Sequence, residues 1–195
     1  GTNLSNSILW RTNLSGTDLS STTLINVISR YANLSESNLP DSLANNNFSL
    51  AMLKNIDFAG KDLSESSFER VELEGSNMQN TNLSFTNFID VDFTQIKNKS
   101  LAGANLSNAA FAYTNLSGIN LDDAILTQTN LHHAELSGMD FTVTRSMTDG
   151  LSFIEANLSN SNFEGVNLSP QRIFYEVFNN KAHLISNYSL EGDLF

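Results

Sequence analysis

Few residues of this chain have the type and spacing that chemistry needs. Three histidines occur, His132, His133 and His183. A metal site would need two of them on one face with a carboxylate. His132 and His133 are consecutive and should diverge, so surface positions are expected for all three. Asp122-Asp123, and Glu72 with Asp92, bring carboxylates together, but general acid–base work also needs a cleft and a shifted pKa. No phosphate-cradling glycine loop, nucleophile elbow or triad spacing is visible. Cysteine is absent, which removes disulfides, thiol catalysis and thiolate metal ligands. Asn-Leu-Ser recurs at Asn3, Asn13, Asn33, Asn82, Asn105, Asn115, Asn157 and Asn167. Each is a glycosylation sequon in form, but the recurrence assigns them to a repeat. The expectation is no catalytic residue, no metal and no cofactor.

The elements that would position any site are set by a period of five. Phe48, Leu53, Phe58, Leu63, Phe68, Leu73, Met78, Leu83, Phe88 and Phe93 follow one another at that spacing, mostly preceded by Asn, Asp or another small or acidic residue. A fixed short period is the signature of a repeat architecture. An α-helix would step such anchors by roughly 140° and scatter them over every face. A straight strand would throw them alternately to opposite sides. A chain that turns a corner at every repeat points all of them inward. Phe48, Phe68 and Phe88 recur at twenty residues, as do Leu43, Leu63 and Leu83, so four pentapeptides make one coil. Like side chains then stack in columns about 4.8 Å apart. Lys54 should lie under Glu74, and Arg70 under Asp90.

Runs such as Ala104-Asn105-Leu106-Ser107-Asn108 and Ala156-Asn157-Leu158-Ser159-Asn160, with Thr129-Asn130-Leu131 and Ala134-Glu135-Leu136, resemble the consensus of the bacterial pentapeptide-repeat proteins. The resemblance covers roughly residues 2–168. It implies an all-β fold, a right-handed quadrilateral parallel β-helix, in which the large central residue and the small residue two before it face inward.

The chain is 195 residues long with a net charge of −11 and a pI of about 4.5. It suits one domain with a surface built largely from Asn, Ser and Thr. The acidity disfavours nucleic acid and anionic membranes as direct partners and permits basic protein surfaces. No apolar run approaches a bilayer span, and no signal peptide is visible. The start at Gly1-Thr2 reads as an expression scar or a domain cut from a longer chain, with an uncapped first coil that a preceding segment or a partner would cover.

Four places disturb the frame. Ser29, within 25–31, misses an apolar beat. Pro40 to Asn47 reads as a turn or short excursion. Thr94 to Ser100 carries the basic pair Lys97 and Lys99. Thr142 to Ser152 carries Arg145. Lys61 stands where a small residue belongs, so its ammonium must snorkel out or its corner must distort. Trp10 follows an anchor and faces outward, where Arg30 should lie over its ring. Tyr113 and His133 are outward and stack one period apart. Ser169-Pro170 followed by Ile173, Phe174, Val177 and Phe178 reads as a short C-terminal helix over 170–179, and the apolar tail 181–195 folds back on it or pairs with a second copy. The expected division is a β-helix over 1–168 and a cap or dimerisation segment over 169–195.

The expected function is a non-catalytic protein-binding scaffold, a domain of a larger bacterial effector secreted into a host cell rather than a protein of the bacterial cytoplasm. The family resemblance implies such settings. Candidate partner contacts are Trp10, Tyr31, Phe85, Tyr113, Lys97, Lys99 and Arg145. The partner is expected to be a protein, with a homodimer through the tail or the uncapped coil as a further expectation. A mimic of DNA that binds gyrase, as in the quinolone-resistance members, is the alternative. Duplex DNA shows about one charge per 1.7 Å, and this chain offers about half of that density over a rod of its length. A third reading is the substrate-recognition domain of a multidomain enzyme.

Overall fold

The structure, a computed structural model, describes residues 1–144, 153, 156–158, 161 and 162. The five-residue period folds as expected into a stack of parallel coils. Bridges recur every five residues, at Asn3↔Thr23, Ile8↔Ile28, Asn13↔Asn33 and Asp18↔Asn38, and all are parallel. Three short strands lengthen this pairing: β1 (Ser67–Glu69), β2 (Asn87–Ile89) and β3 (Ala110–Ala112). They form a parallel sheet in the order β1-β2-β3, with Phe68 opposite Phe88 and Phe88 opposite Phe111.

Most corners are β-turns in which the N–H three residues after an anchor bonds the anchor's carbonyl, as from Ser7 to Leu4 at 3.1 Å and from Ala104 to Leu101 at 2.9 Å. The small inward residue closes the same turn with its side chain. The Thr12, Thr17 and Thr22 hydroxyls donate to the carbonyls of Leu9, Leu14 and Leu19 at 2.6–2.7 Å. The Thr81 and Thr129 hydroxyls instead reach the preceding coil, at Phe58 and Leu106. These hydroxyls are thereby satisfied in an apolar interior, as their desolvation demands, while the Ser7 hydroxyl in the first coil is buried without a partner among the described residues.

The residue before each anchor works on the outside. The Asn82 side-chain oxygen accepts the Ser84 N–H at 3.2 Å, while its amide donates to Asp62 one coil back at 2.8 Å. Asn105 repeats both bonds with Ser107 and Asn82. The Asn and Asp preference is thus an Asx turn combined with a ladder between coils. Within, Phe48, Phe68, Phe88 and Phe111 stack ring on ring, with centroids 4.8–5.3 Å apart. The described anchors from Leu19 to Leu158 are at most 8% exposed, whereas Leu4, Leu9 and Leu14 are partly buried against the core.

The frame breaks are resolved differently from expectation in two cases. Ser29 is no break. It takes the anchor's place, is 2% exposed, and its N–H bonds Asn47 at 2.8 Å. Pro40 to Asn47 makes no excursion. The side from Leu39 to Leu43 is one residue short, Ser42 still bridges Asp62, and Asn46 turns inward. The Asn46 side chain donates to the Leu24 carbonyl at 2.7 Å and accepts the Val27 N–H at 2.5 Å. Pro40 is itself buried, and its fixed φ and missing N–H suit a shortened corner.

Thr94 to Ser100 adds residues as a single 3-10 turn, Phe93–Gln95, followed by a tight turn over Lys97–Lys99 in which Asn98 and Lys99 take positive φ. Ile96 plugs the core at 4% exposure, and the Lys97 N–H bonds the Ser76 carbonyl at 2.9 Å. At Lys61 the ammonium snorkels: it reaches Asp41 at 3.3 Å while the side chain is only 14% exposed. Most of the break at 142–152, the cap expected over 170–179, the tail 181–195, His183 and Arg145 lie outside the described residues.

Candidate functional site

At most corners the second residue after the anchor takes a positive φ, the left-handed conformation. Asn and Gly hold it at Asn6, Asn26, Asn45, Asn55, Gly16 and Gly118, the residue types for which it is cheap. In one column of corners every described residue departs from this rule, whereas Glu36, Glu65, Asp123 and Gln128 depart singly elsewhere. After the anchors Leu9, Ser29, Phe48, Phe68, Phe88, Phe111 and Leu131 come Arg11, Tyr31, Leu50, Arg70, Asp90, Tyr113 and His133, all with φ of 50–62°. Bulky side chains there cost about 1 kcal/mol each relative to glycine, and such strain is a pointer to function. On a neighbouring corner Phe85 does the same with φ 59°.

The aromatic candidates are therefore exposed on this outer surface. Trp10 is 52%, Tyr31 44%, Phe85 60% and Tyr113 63% exposed. Trp10 and Tyr31 come together edge to face, with centroids 6.5 Å apart. The cation over Trp10 is Arg11, at 4.3 Å from the ring centroid, and not Arg30 as expected; Arg11 also lies 5.5 Å from Tyr31. Arg30 sits instead over Tyr31, at 6.0 Å. The reason is the corner: the left-handed turn at Arg11 folds its side chain back over its neighbour.

Tyr113 and His133 stack at 4.7 Å with planes 9° apart, on the same column as Tyr31 and several coils along. Lys97 and Lys99 are exposed on the bulged corner, apart from the aromatic column. The left-handed column is what sequence reasoning missed. The signal was present, since these residues stand two after an anchor where Asn or Gly recurs elsewhere.

Some charges along the rod are matched between coils. Lys54 bonds Glu72 at 2.9 Å and Glu74 at 3.3 Å, and Arg70 meets Asp90 at 3.1 Å. The Glu72 and Glu74 carboxylates raise the Lys54 pKa above its ordinary value. The Ser20 hydroxyl and then the Ser20 N–H hold Asp18 below the usual carboxylate range. The carboxylate pairs considered for acid–base work are engaged separately: Glu72 with Lys54, Asp92 with the Thr94 N–H, and Asp122 with the Asn120 side chain. His132 and His133 stand with ring planes 83° apart and centroids 6.4 Å apart. Among the described residues no group of three His, Asp or Glu could hold a metal ion, and no helix is long and apolar enough to cross a membrane.

No curated protein matches the chain. Solved structures resemble it at low identity. A trypsin-treated variant of QnrB1, a plasmid-mediated fluoroquinolone resistance protein, is 22% identical with a TM-score of 0.36, over 81% of this chain and 83% of that one. HetL, a pentapeptide repeat protein involved in heterocyst differentiation regulation from the cyanobacterium Nostoc sp. strain PCC 7120, is 19% identical with a TM-score of 0.31, over 84% and 88%. Rfr23, a pentapeptide repeat protein from the cyanobacterium Cyanothece 51142, is 21% identical with a TM-score of 0.23, over 80% and 86%. The pentapeptide repeats family itself matches in 8 copies, over residues 1–28, 56–95, 101–142 and 149–169. With more than half of its length matched, the chain belongs to the pentapeptide-repeat family.

Proposed function

We propose that this chain is a non-catalytic protein-binding scaffold, a four-sided right-handed coil closed by a C-terminal helix. The carrying observation is the column of exposed, bulky side chains in left-handed corners. Arg11, Tyr31 and Tyr113 bury no core surface there, yet they replace the Asn and Gly that the backbone favours. The side chains kept against the backbone's preference include two Tyr and two Arg, types that dominate protein interfaces. The proposal extends to a module of a bacterial effector acting inside a host cell, a setting that the family resemblance implies. It also extends to self-association through the tail or the first coil, which solution mass at rising concentration measures.

The reading as a DNA mimic has less support. Asp41, Glu72, Glu74 and Asp90 are each met by a cation, which thins the negative charge a mimic would display.

Photo-crosslinking tests the scaffold. A photoreactive residue is placed at position 10, 85 or 113 of the full chain in living cells, with position 36 as the control. A defined polypeptide adduct from at least one of the three, and none from the control, is expected. Silence at all three, in host and bacterial cells alike, overturns the proposal.

A further inference from the structure

We infer that the outer corner of the first two coils, framed by Ile8, Ile28, Trp10, Tyr31, Arg11 and Arg30, binds an acidic, apolar polypeptide segment. The inference rests on the scaffold reading and deepens it.

Three independent departures from the repeat converge on this corner. The first is the position before the anchor. Asn3, Asn13 and Asp18 there accept the N–H two residues on, but Ile8 and Ile28 cannot. The two isoleucines bridge each other directly and stay 69% and 41% exposed, so the chain forgoes an Asx turn twice to keep an apolar pair in water. The second is the left-handed corner itself, where Arg11 and Tyr31 stand in place of Asn or Gly. The third is charge. Lys54, Lys61 and Arg70 each meet a carboxylate, whereas among the described residues Arg11 and Arg30, like Lys97 and Lys99 on the bulged corner, make no ion pair, and only Arg11 and Arg30 stand beside exposed aromatic rings. Residues 1–35 hold two arginines and one aspartate in a chain of net charge −11.

An occupant must therefore bring apolar side chains for Ile8, Ile28 and the Trp10 face, and carboxylates for the two guanidinium groups. Arg11 already lies over Trp10 and Tyr31, so its fork is held in place before a carboxylate arrives. A long polyanion is disfavoured, because carboxylates from Glu36 onward would face it. A short acidic segment stays on the patch.

Trp10 is the sole tryptophan of the chain, so its emission reports on this corner without labelling. The full chain is titrated with a short peptide that alternates phenylalanine and leucine with glutamate, with the lysine version of that peptide, and with an oligothymidylate. The glutamate peptide should shift Trp10 emission to the blue and saturate, and added salt should weaken it. Charge reversal in R11E/R30E, with unchanged thermal midpoint, should weaken it by about tenfold or more. Equal binding of the lysine peptide, salt-independent binding, or a response to the oligonucleotide alone overturns the assignment. So does a blue shift that grows with protein concentration in the absence of peptide, which makes a second copy the occupant. Crosslinks at position 85 or 113 with an unresponsive Trp10 sink this inference and leave the scaffold standing.

Discussion

Phe68 and Phe88 lie ring over ring, with centroids 4.8 Å apart and planes 17° from parallel. They are opposite one another in adjacent coils, and both are fully buried. The column continues to Phe48 below and Phe111 above. Removing the middle ring leaves a void that two rigid neighbours cannot close. Phe68→Ala should therefore cost about 3–5 kcal/mol. Phe85→Ala, taken from an outer corner, should change stability by no more than about 0.5 kcal/mol. Equal losses in a denaturant titration would contradict the inward and outward assignment.

Glycine corners differ in what lies beneath them. Gly60 and Gly75 share a φ of +71°, but a Cβ on Gly60 meets nothing within 4 Å, while one on Gly75 strikes the Asn55 side-chain oxygen in the preceding coil. Both alanine variants pay for the left-handed backbone, about 1 kcal/mol. Gly75→Ala should lose more than Gly60→Ala, because Asn55 must move as well. Matching thermal midpoints would mean that the coils are not stacked in this register.

Glu135 contributes acid sensitivity. Partial burial pushes its carboxyl up, but the hydrogen bonds from Asn157, Ser137 and Ser117 together outweigh that, so the folded-state pKa lies below 4.5. A depressed carboxylate contributes stability that is complete above its unfolded pKa and is lost as pH falls through the folded value. Glu135→Gln keeps one acceptor and one donor but no titration. The wild-type advantage over this variant should be constant near neutrality and shrink below about pH 4.5. An advantage that widens on acidification would reverse the sign argued here.

How much of this could be seen in advance depends on what each residue does. Phe68 announced itself, because a large apolar side chain every five residues has few other places to go. Lys54 with Glu74, and Arg70 with Asp90, followed once the coil was fixed at twenty residues. Asn82 was visible as a type but not as an act: its Asx turn and its bond to Asp62 need the corner's geometry first. Ser29 and Pro40 misled, since tertiary packing let a serine hold an anchor's place and let a shortened side close without a loop. The Trp10 and Arg11 pair was missed because φ at Arg11 turns the side chain back on its neighbour, and no spacing rule encodes that sign. The column of left-handed corners was legible only by phase, in the contrast between Asn26 and Tyr31 at equivalent turns.

That contrast yields a stability prediction opposite to the usual cost of a surface change. Phe85 holds φ 59° with a ring 60% exposed, in the same column as Asn45 and Asn108, which hold φ of 59°. Asparagine enters the left-handed region readily because its short polar side chain bonds locally. Phe85→Asn gives up little buried apolar surface and relieves the corner, so it should stabilise the protein by about 0.5–1 kcal/mol. The same substitution removes an exposed aromatic from the proposed binding surface, and crosslinking or binding through this corner should fall. A destabilised Phe85→Asn would show that the ring earns its place by packing, and the argument from strained corners to partner contact would lose its basis.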